Sequence, residues 1–184
     1  MPIDNIALVG EHMLDNICAA IAATYQLIED KSVFDTVLRN FSGLDHRLQP
    51  VSNKNGVLYI DDSISTIPST AIAAIKAFSQ PKIIILGGSD KGNEFDELAS
   101  EIAHSNVRHV FATGQMKHKI ISALQKANYT QFTEVETLPD AVKSSAKTAQ
   151  KGDVVLLSPA CASFDMFSGY AERGNTFAQA VKEL

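Results

Sequence analysis

The chain has 184 residues, 45% of them apolar and 20% charged, with a formal net charge of −5 at pH 7. This is the balance of an ordinary globular protein: too apolar for disorder, long enough to bury a core, and too short for a multidomain enzyme. The acidic excess argues against a general nucleic-acid or membrane-surface binder, which needs basic residues. No apolar run approaches the roughly 20 residues of a membrane span. The opening Met1-Pro2-Ile3-Asp4-Asn5 has no basic region or apolar stretch of a secretory signal. Cys18 and Cys161 lie far apart, without metal-type spacing. The expectation is a reduced, cytoplasmic protein with no metal site, no nucleic-acid partner and no membrane partner.

In chain order, Leu14, Ile17, Cys18, Ile21, Tyr25 and Ile28 form a helical stripe, and a second short helix follows at residues 32–40. Residues 47–51 and Val57-Leu58-Tyr59-Ile60 then flank Asn53-Lys54-Asn55-Gly56, a hairpin around an Asn-Gly turn. Two helices and a hairpin are not the natural start of an α/β sheet. They predict the remnant of a preceding domain over residues 1–50, with a separate α/β domain over 51–184.

Further strands are predicted at residues 82–86, 107–112, 132–135 and 153–157. The unbroken apolar runs Ile83-Ile84-Ile85-Leu86 and Val154-Val155-Leu156-Leu157 suit strands covered on both faces. Helices fall between them. Pro68 suits a first turn, with Ala71, Ile75 and Phe78 on the buried stripe. Asn93 is a candidate cap for the next helix, with Glu94 and Asp96 in its first turn. Thr137-Leu138-Pro139-Asp140 reads as a capping sequence. Phe177, Ala180, Val181 and Leu184 form the last stripe. This alternation predicts an α/β fold, a Rossmann-like, doubly wound and mainly parallel sheet with flanking helices.

Open parallel sheets bind ligands at the carboxyl ends of their strands. Three polar segments belong there: Asp61-Asp62-Ser63-Ile64-Ser65-Thr66, Gly87-Gly88-Ser89-Asp90-Lys91-Gly92 and Ser158-Pro159-Ala160-Cys161-Ala162-Ser163. The glycine-rich segment is either an anion site, its N–H groups converging beside Lys91, or only a strand-to-helix turn. Asp61-Asp62 suits a metal or ribose hydroxyls, and equally a cap of the following helix. His46-Arg47 suits a phosphate or a solvated loop. Cys161 reads as a small buried residue, not a nucleophile. His104, His109 and His118 read as surface. Neither G-x-x-x-x-G-K-[ST] nor G-x-G-x-x-G occurs, so a nucleotide site built from this chain alone is incomplete.

Taken together, these segments resemble the Mur ligases, and within them the members that add D-glutamate. The resemblance is carried by SPACASFDMF at 158–167 followed by Glu172-Arg173-Gly174, GGSDKG at 87–92, and GLDHR at 43–47. GEHMLDN at 10–16 and DDSISTIPST at 61–70 complete it, with order and spacing kept over nearly the whole chain. It implies the C-terminal, glutamate-binding domain preceded by the end of a central ATPase domain. The implied activity is ATP-dependent amide-bond formation, adding D-glutamate to UDP-N-acetylmuramoyl-L-alanine in peptidoglycan synthesis. ATP and Mg2+ serve the full enzyme, and the partners are D-glutamate and the ligase's N-terminal and central domains. The isolated chain is expected to be inactive and to hold neither cofactor tightly.

By the same resemblance, Thr66, Lys91, Ser163, Phe164 and Tyr170 match substrate-binding positions. His12, Asn16, Arg47 and Asp62 match nucleotide-binding ones, and His46 is the candidate catalytic residue. Ile64 stands where the family has lysine, and Ile67 and Met13 stand where it has asparagine. Two rivals are a non-catalytic module of this fold that binds an acidic metabolite or protein, and a ligase that adds glutamate to folate.

Overall fold

The computed structural model describes residues 6, 8 and 10–184, with the side chains of residues 11 and 12 outside the description. Two compact units divide the chain, Met1–Leu44 and Asp45–Leu184.

The first unit holds α1 (Glu11–Thr24) and α2 (Ser32–Asn40). On α1, Met13 and Ile17 are buried one turn apart, whereas Cys18 and Tyr25 of the predicted stripe are exposed. The helical period puts Cys18 about 100° from Ile17, outside the buried line. The connection between the helices is organised by polar contacts. Asp30 accepts from the Ser32 N–H at 2.9 Å, and the Lys31 ammonium sits 4.1 Å from the centre of the Tyr25 ring.

The second unit is a six-stranded sheet in the order β1-β2-β6-β3-β4-β5. Its strands are β1 (Gln49–Lys54), β2 (Val57–Asp61), β3 (Lys82–Gly87), β4 (Val107–Thr113), β5 (Phe132–Glu134) and β6 (Val154–Leu157). β1 runs antiparallel to β2, and all other pairs are parallel. The hairpin turns at Asn55 and Gly56, both with positive φ (55° and 79°), the backbone that a two-residue Asn-Gly turn requires. The hairpin is thus the antiparallel edge of the α/β sheet itself.

Because side chains alternate along a strand, each strand feeds two cores. Val57, Tyr59, Ile83, Ile85, Phe111, Val155 and Leu157 face α6 (Leu138–Thr148) and α7 (Tyr170–Lys182). Ile84, Leu86, Val110 and Leu156, of the opposite parity, are equally buried. On that side α3 (Pro68–Lys76), α4 (Asp96–His104) and α5 (Lys117–Lys126) pack side by side.

Local signals set the starts of α3 and α6. Pro68 opens α3, and Ala71, Ile75 and Phe78 are buried as predicted. The Thr137 side chain accepts from the Asp140 N–H, capping α6. Asn93 does not cap α4, which begins at Asp96 after Phe95 with no side-chain cap. Phe95, buried in the core, occupies the N-cap position instead. The first turn therefore carries Asp96 and Glu97, and Glu94 lies outside it. At the C-terminus Leu184 lies beyond α7 and is exposed, so the last stripe ends at Val181.

Phe177 of α7 is fully enclosed in the core that joins α6, α7 and the sheet. Phe177→Ala is expected to cost about 3–5 kcal/mol through lost contacts and a residual cavity. Urea denaturation of the two chains measures this, and a loss below about 1 kcal/mol would contradict the core assignment.

Candidate functional site

Strand order decides which loops meet. β6 comes last in sequence but lies between β2 and β3, paired in parallel with both. The three polar segments that follow β2, β3 and β6 therefore leave neighbouring strands at one carboxyl edge. A sheet crevice at such a reversal of strand order is where open α/β folds take their ligands.

The segments approach so closely that glycine is required. Gly87 and Gly88 have φ of 125° and 142°. A Cβ on Gly87 would lie 1.8 Å from the Thr113 carbonyl oxygen, and one on Gly88 would lie 2.0 Å from that of Ala162. The N–H groups of Gly87 and Ser89 donate to the Pro159 and Ala162 carbonyls at 2.9 and 2.8 Å. Those of Asp90 and Gly92 donate to Gln115 Oε1 and Asp90 Oδ1. Most of the turn's amides are thus engaged within the chain. What the turn offers an anion is the Lys91 charge, not a converging set of N–H groups.

Arg173 of α7 ties these segments together from below. Only 3% exposed, its Nε and Nη2 donate to Ser63 Oγ (2.9 Å) and the Ser63 carbonyl (2.8 Å), and Nη1 to the carbonyls of Cys161 (3.0 Å) and Ala162 (3.2 Å). Ser63 Oγ in turn donates to the Tyr170 carbonyl at 2.8 Å. Burial draws the Arg173 pKa down to about 10, so the group stays charged at neutral pH. In the sequence Arg173 stands only within the Glu172-Arg173-Gly174 motif, without a role of its own. The signal was there: it lies four residues before Phe177, on the buried stripe of the last helix.

Two carboxylates end β2, and neither caps α3, whose N-cap is Ile67 with no side-chain bond. Asp61 Oδ2 lies 2.7 Å from His46 Nδ1, and its Oδ1 accepts from the Ser63 N–H at 2.9 Å. His46 has φ 62°, and its ring meets Tyr170 edge-on with centroids 6.0 Å apart. Gly174 makes room for this pair, since a Cβ there would lie 2.2 Å from His46 Nδ1 and 2.5 Å from Asp61 Oδ2. Asp62, 2% exposed, accepts from the Leu48 N–H at 3.2 Å and from Ser158 Oγ at 2.7 Å. Burial pushes its pKa up to about 6, against the lowering effect of its hydrogen bonds to Ser65, Ser158 and Leu48.

The other predicted residues are distributed as follows. Ser163 is buried, Thr66 and Arg47 are half-buried, and Lys91, Phe164 and Tyr170 are exposed. Ile64 is half-buried, and Ile67 is exposed. Asn16 lies on α1 in the other compact unit, its Nδ2 3.9 Å from Met13 Sδ. The His12 side chain lies outside the described residues. Cys161 is buried, with its thiol pKa pushed up to about 12 by desolvation, so it remains protonated. His104 and His118 are exposed, as read from the sequence. His109 is not a surface residue: it is half-buried against Phe111 and Thr133, and burial lowers its pKa. Among the described residues no group of three His, Cys, Asp or Glu side chains could hold a metal ion, and no helix is long and apolar enough to cross a membrane.

A doubly wound, mainly parallel sheet with helices on both faces defines an α/β domain of the Rossmann-like class. Comparison with known proteins makes this specific. The family described as Mur ligase, glutamate ligase domain, matches residues 46–161, and the chain belongs to the Mur ligase family. The UDP-N-acetylmuramoylalanine–D-glutamate ligase of Caldicellulosiruptor bescii is 44% identical over 181 residues, covering 98% of this chain and 39% of that protein. The ligase of the same name from Clostridioides difficile is 39% identical over 181 residues, covering 98% of this chain and 40% of that protein. The chain thus spans about two-fifths of the length of these relatives.

Solved structures share the fold at low identity. The UDP-N-acetylmuramate-alanine ligase of Thermotoga maritima aligns with a TM-score of 0.71 at 18% identity, covering 96% of this chain and 39% of that one. A Mycobacterium tuberculosis folylpolyglutamate synthase complexed with ADP aligns with a TM-score of 0.69 at 15% identity, covering 94% of this chain and 41% of that one.

The Asp62 shift has a stability consequence with a defined sign. Its folded pKa, about 6, lies above the ordinary 3.8, so folding favours the neutral carboxyl. The resulting stability is complete below about pH 4 and is lost as pH rises through about 6, up to about 3 kcal/mol. Asn at this position keeps an acceptor for Leu48 and a partner for Ser158. Asp62→Asn is therefore expected to gain stability over the parent chain between pH 5 and 7.5. Denaturation at both pH values checks this, and parallel profiles would contradict it.

Proposed function

We propose that this chain is the amino-acid-binding part of an ATP-dependent ligase that joins D-glutamate to UDP-N-acetylmuramoyl-L-alanine in cytoplasmic peptidoglycan-precursor synthesis. The single observation that carries this reading is the arrival of the Lys91 turn, the Ser163 loop and the Tyr170 helix start at one sheet edge, in a chain 44% identical to such a ligase. With the boundary moved from residue 50 to the edge of the compact units, residues 1–44 form the end of the central domain and residues 45–184 the glutamate-binding domain.

In this reading the Lys91 ammonium pairs with a D-glutamate carboxylate, and the Thr66 and Ser163 hydroxyls add hydrogen bonds. Phe164 and Tyr170, both exposed, cover the substrate and exclude water. Their joint task is to hold the amine where it can attack the activated acceptor carboxylate. ATP, with Mg2+, supplies that activation in the whole enzyme. Arg47 contacts phosphate, and His46, held by Asp61, steadies the turn that carries Arg47. His12 and Asn16 serve the adenine side. Asp62 serves the nucleotide side by holding Leu48 and Ser158 in register, its carboxylate being buried.

An amide-forming turnover needs the phosphates and the acceptor to be held near the amine, and no G-x-x-x-x-G-K-[ST] occurs in these 184 residues. The purified chain is therefore expected to release no ADP in response to D-glutamate. Release above that of a Lys91→Ala control would overturn this.

Binding can be read separately. The net charge of −5 makes Lys91 the local attraction for a dicarboxylate, and Ile64 removes a second cation from the neighbourhood. Affinity is expected to be millimolar, about −4 kcal/mol. An NMR titration with D-glutamate should perturb residues 87–92 and 158–170 first, Lys91→Ala should abolish the shifts, and L-glutamate should give weaker ones. Exposed Ile67, in place of the family asparagine, favours a second reading, a non-catalytic module. Equal shifts with both enantiomers, or shifts elsewhere, would replace the first reading with that one.

A further inference from the structure

The loop after β4 carries no residue with an assigned role, yet it bonds to both of the loops that the substrate reading uses. Lys91 is exposed on its turn, and a mobile lysine loses affinity through the entropy of ordering. What orders the turn is a chain of hydrogen bonds that crosses three loops. The Gly92 N–H donates to Asp90 Oδ1 at 2.7 Å, closing the turn around Lys91. The Asp90 N–H donates to Gln115 Oε1 at 3.2 Å, across to the β4 loop. The Gln115 N–H donates to Asp165 Oδ2 at 2.9 Å, across to the β6 loop two residues beyond Ser163.

The local backbone is shaped for this. A Cβ on Gly114 would lie 2.4 Å from Asp165 Oδ2, so glycine is what allows the carboxylate to reach the next N–H. The Met116 N–H donates to the Gly88 carbonyl at 3.0 Å, holding the β4 loop against the β3 loop from the other side.

We propose that Gln115 and Asp165 are positioning residues that act as a strut, fixing the Lys91 turn at a set distance from the Ser163 loop. The consequence for D-glutamate rests on the proposed function above; the strut itself does not. The electrostatics make the proposal testable. Asp165 puts a negative charge near a site read as anion-binding, so as a mere charge it would weaken D-glutamate binding. As a strut it strengthens binding through geometry. Asn keeps the acceptor and removes the charge, whereas Ala removes both.

The experiment uses the full chain, labelled for NMR, with Gln115→Ala, Asp165→Ala and Asp165→Asn. Both residues are exposed, so thermal unfolding should be nearly unchanged in all three. Without ligand, Gln115→Ala should speed exchange of the Asp90 amide with water by about tenfold, the effect of one typical hydrogen bond. Asp165→Ala should do the same at the Gln115 amide, and Asp165→Asn should not. With D-glutamate, the two Ala variants should bind several-fold more weakly, while Asp165→Asn should bind as well as the parent or better.

Unchanged exchange at Asp90 and Gln115 in the Ala variants would overturn the strut. So would Asp165→Ala and Asp165→Asn shifting D-glutamate affinity equally, which marks Asp165 as a charge only. If the parent chain shows no D-glutamate shifts at residues 87–92 while the exchange effects hold, the strut stands and the substrate reading falls.

Discussion

A guanidinium buried at the carboxyl edge of the sheet is the constraint around which the rest of the rim is arranged. Desolvating an arginine is costly, and the cost must be offset by hydrogen bonds of good geometry. Here they come from Ser63, Cys161 and Ala162, members of two loops far apart in sequence. Neither loop can move away without leaving a buried positive charge unsatisfied. The third loop is bound to the second by Ser89 and Gly87, which donate to Ala162 and Pro159. The fold thereby turns one unfavourable burial into a rigid platform.

Charge is distributed around that platform in layers. Beneath it sit Arg173 and the paired His46 and Asp61. Asp62 is kept partly neutral by desolvation at mildly acidic pH. Above it Lys91 stands exposed on its own turn. The buried polar groups are satisfied internally and serve geometry, whereas Lys91 stands in solvent. The carboxylates of the 61–62 segment are directed to His46, Leu48, Ser63 and Ser158. The enclosed side chains of α6 and α7 support the same platform from one face of the sheet.

Local patterns in the sequence were sufficient for several segments that carry their own signal. The apolar runs at 83–86 and 154–157 are β3 and β6, the Asn55-Gly56 turn is formed, and Thr137 caps α6. They were insufficient where a distant residue sets the outcome. Asn93 has the chemistry of a cap, but buried Phe95 takes the N-cap position and α4 starts two residues later. His109 has the chemistry of a surface residue, but it faces Phe111 and Thr133. The glycine-rich turn has the chemistry of an anion nest, but most of its amides are engaged by neighbouring loops.

Composition, periodicity and motif order therefore determined the α/β class, the strands, the helices other than α5, the family resemblance and the residues worth testing. Tertiary structure alone decided that β6 enters between β2 and β3, that Arg173 bonds Ser63, Cys161 and Ala162, and that Gly174 leaves room for His46 against Asp61. The physical reason is range. Propensity and period are properties of a few consecutive residues, whereas strand order and buried polar pairing arise from contacts between segments up to about a hundred residues apart, whose energies no local window contains.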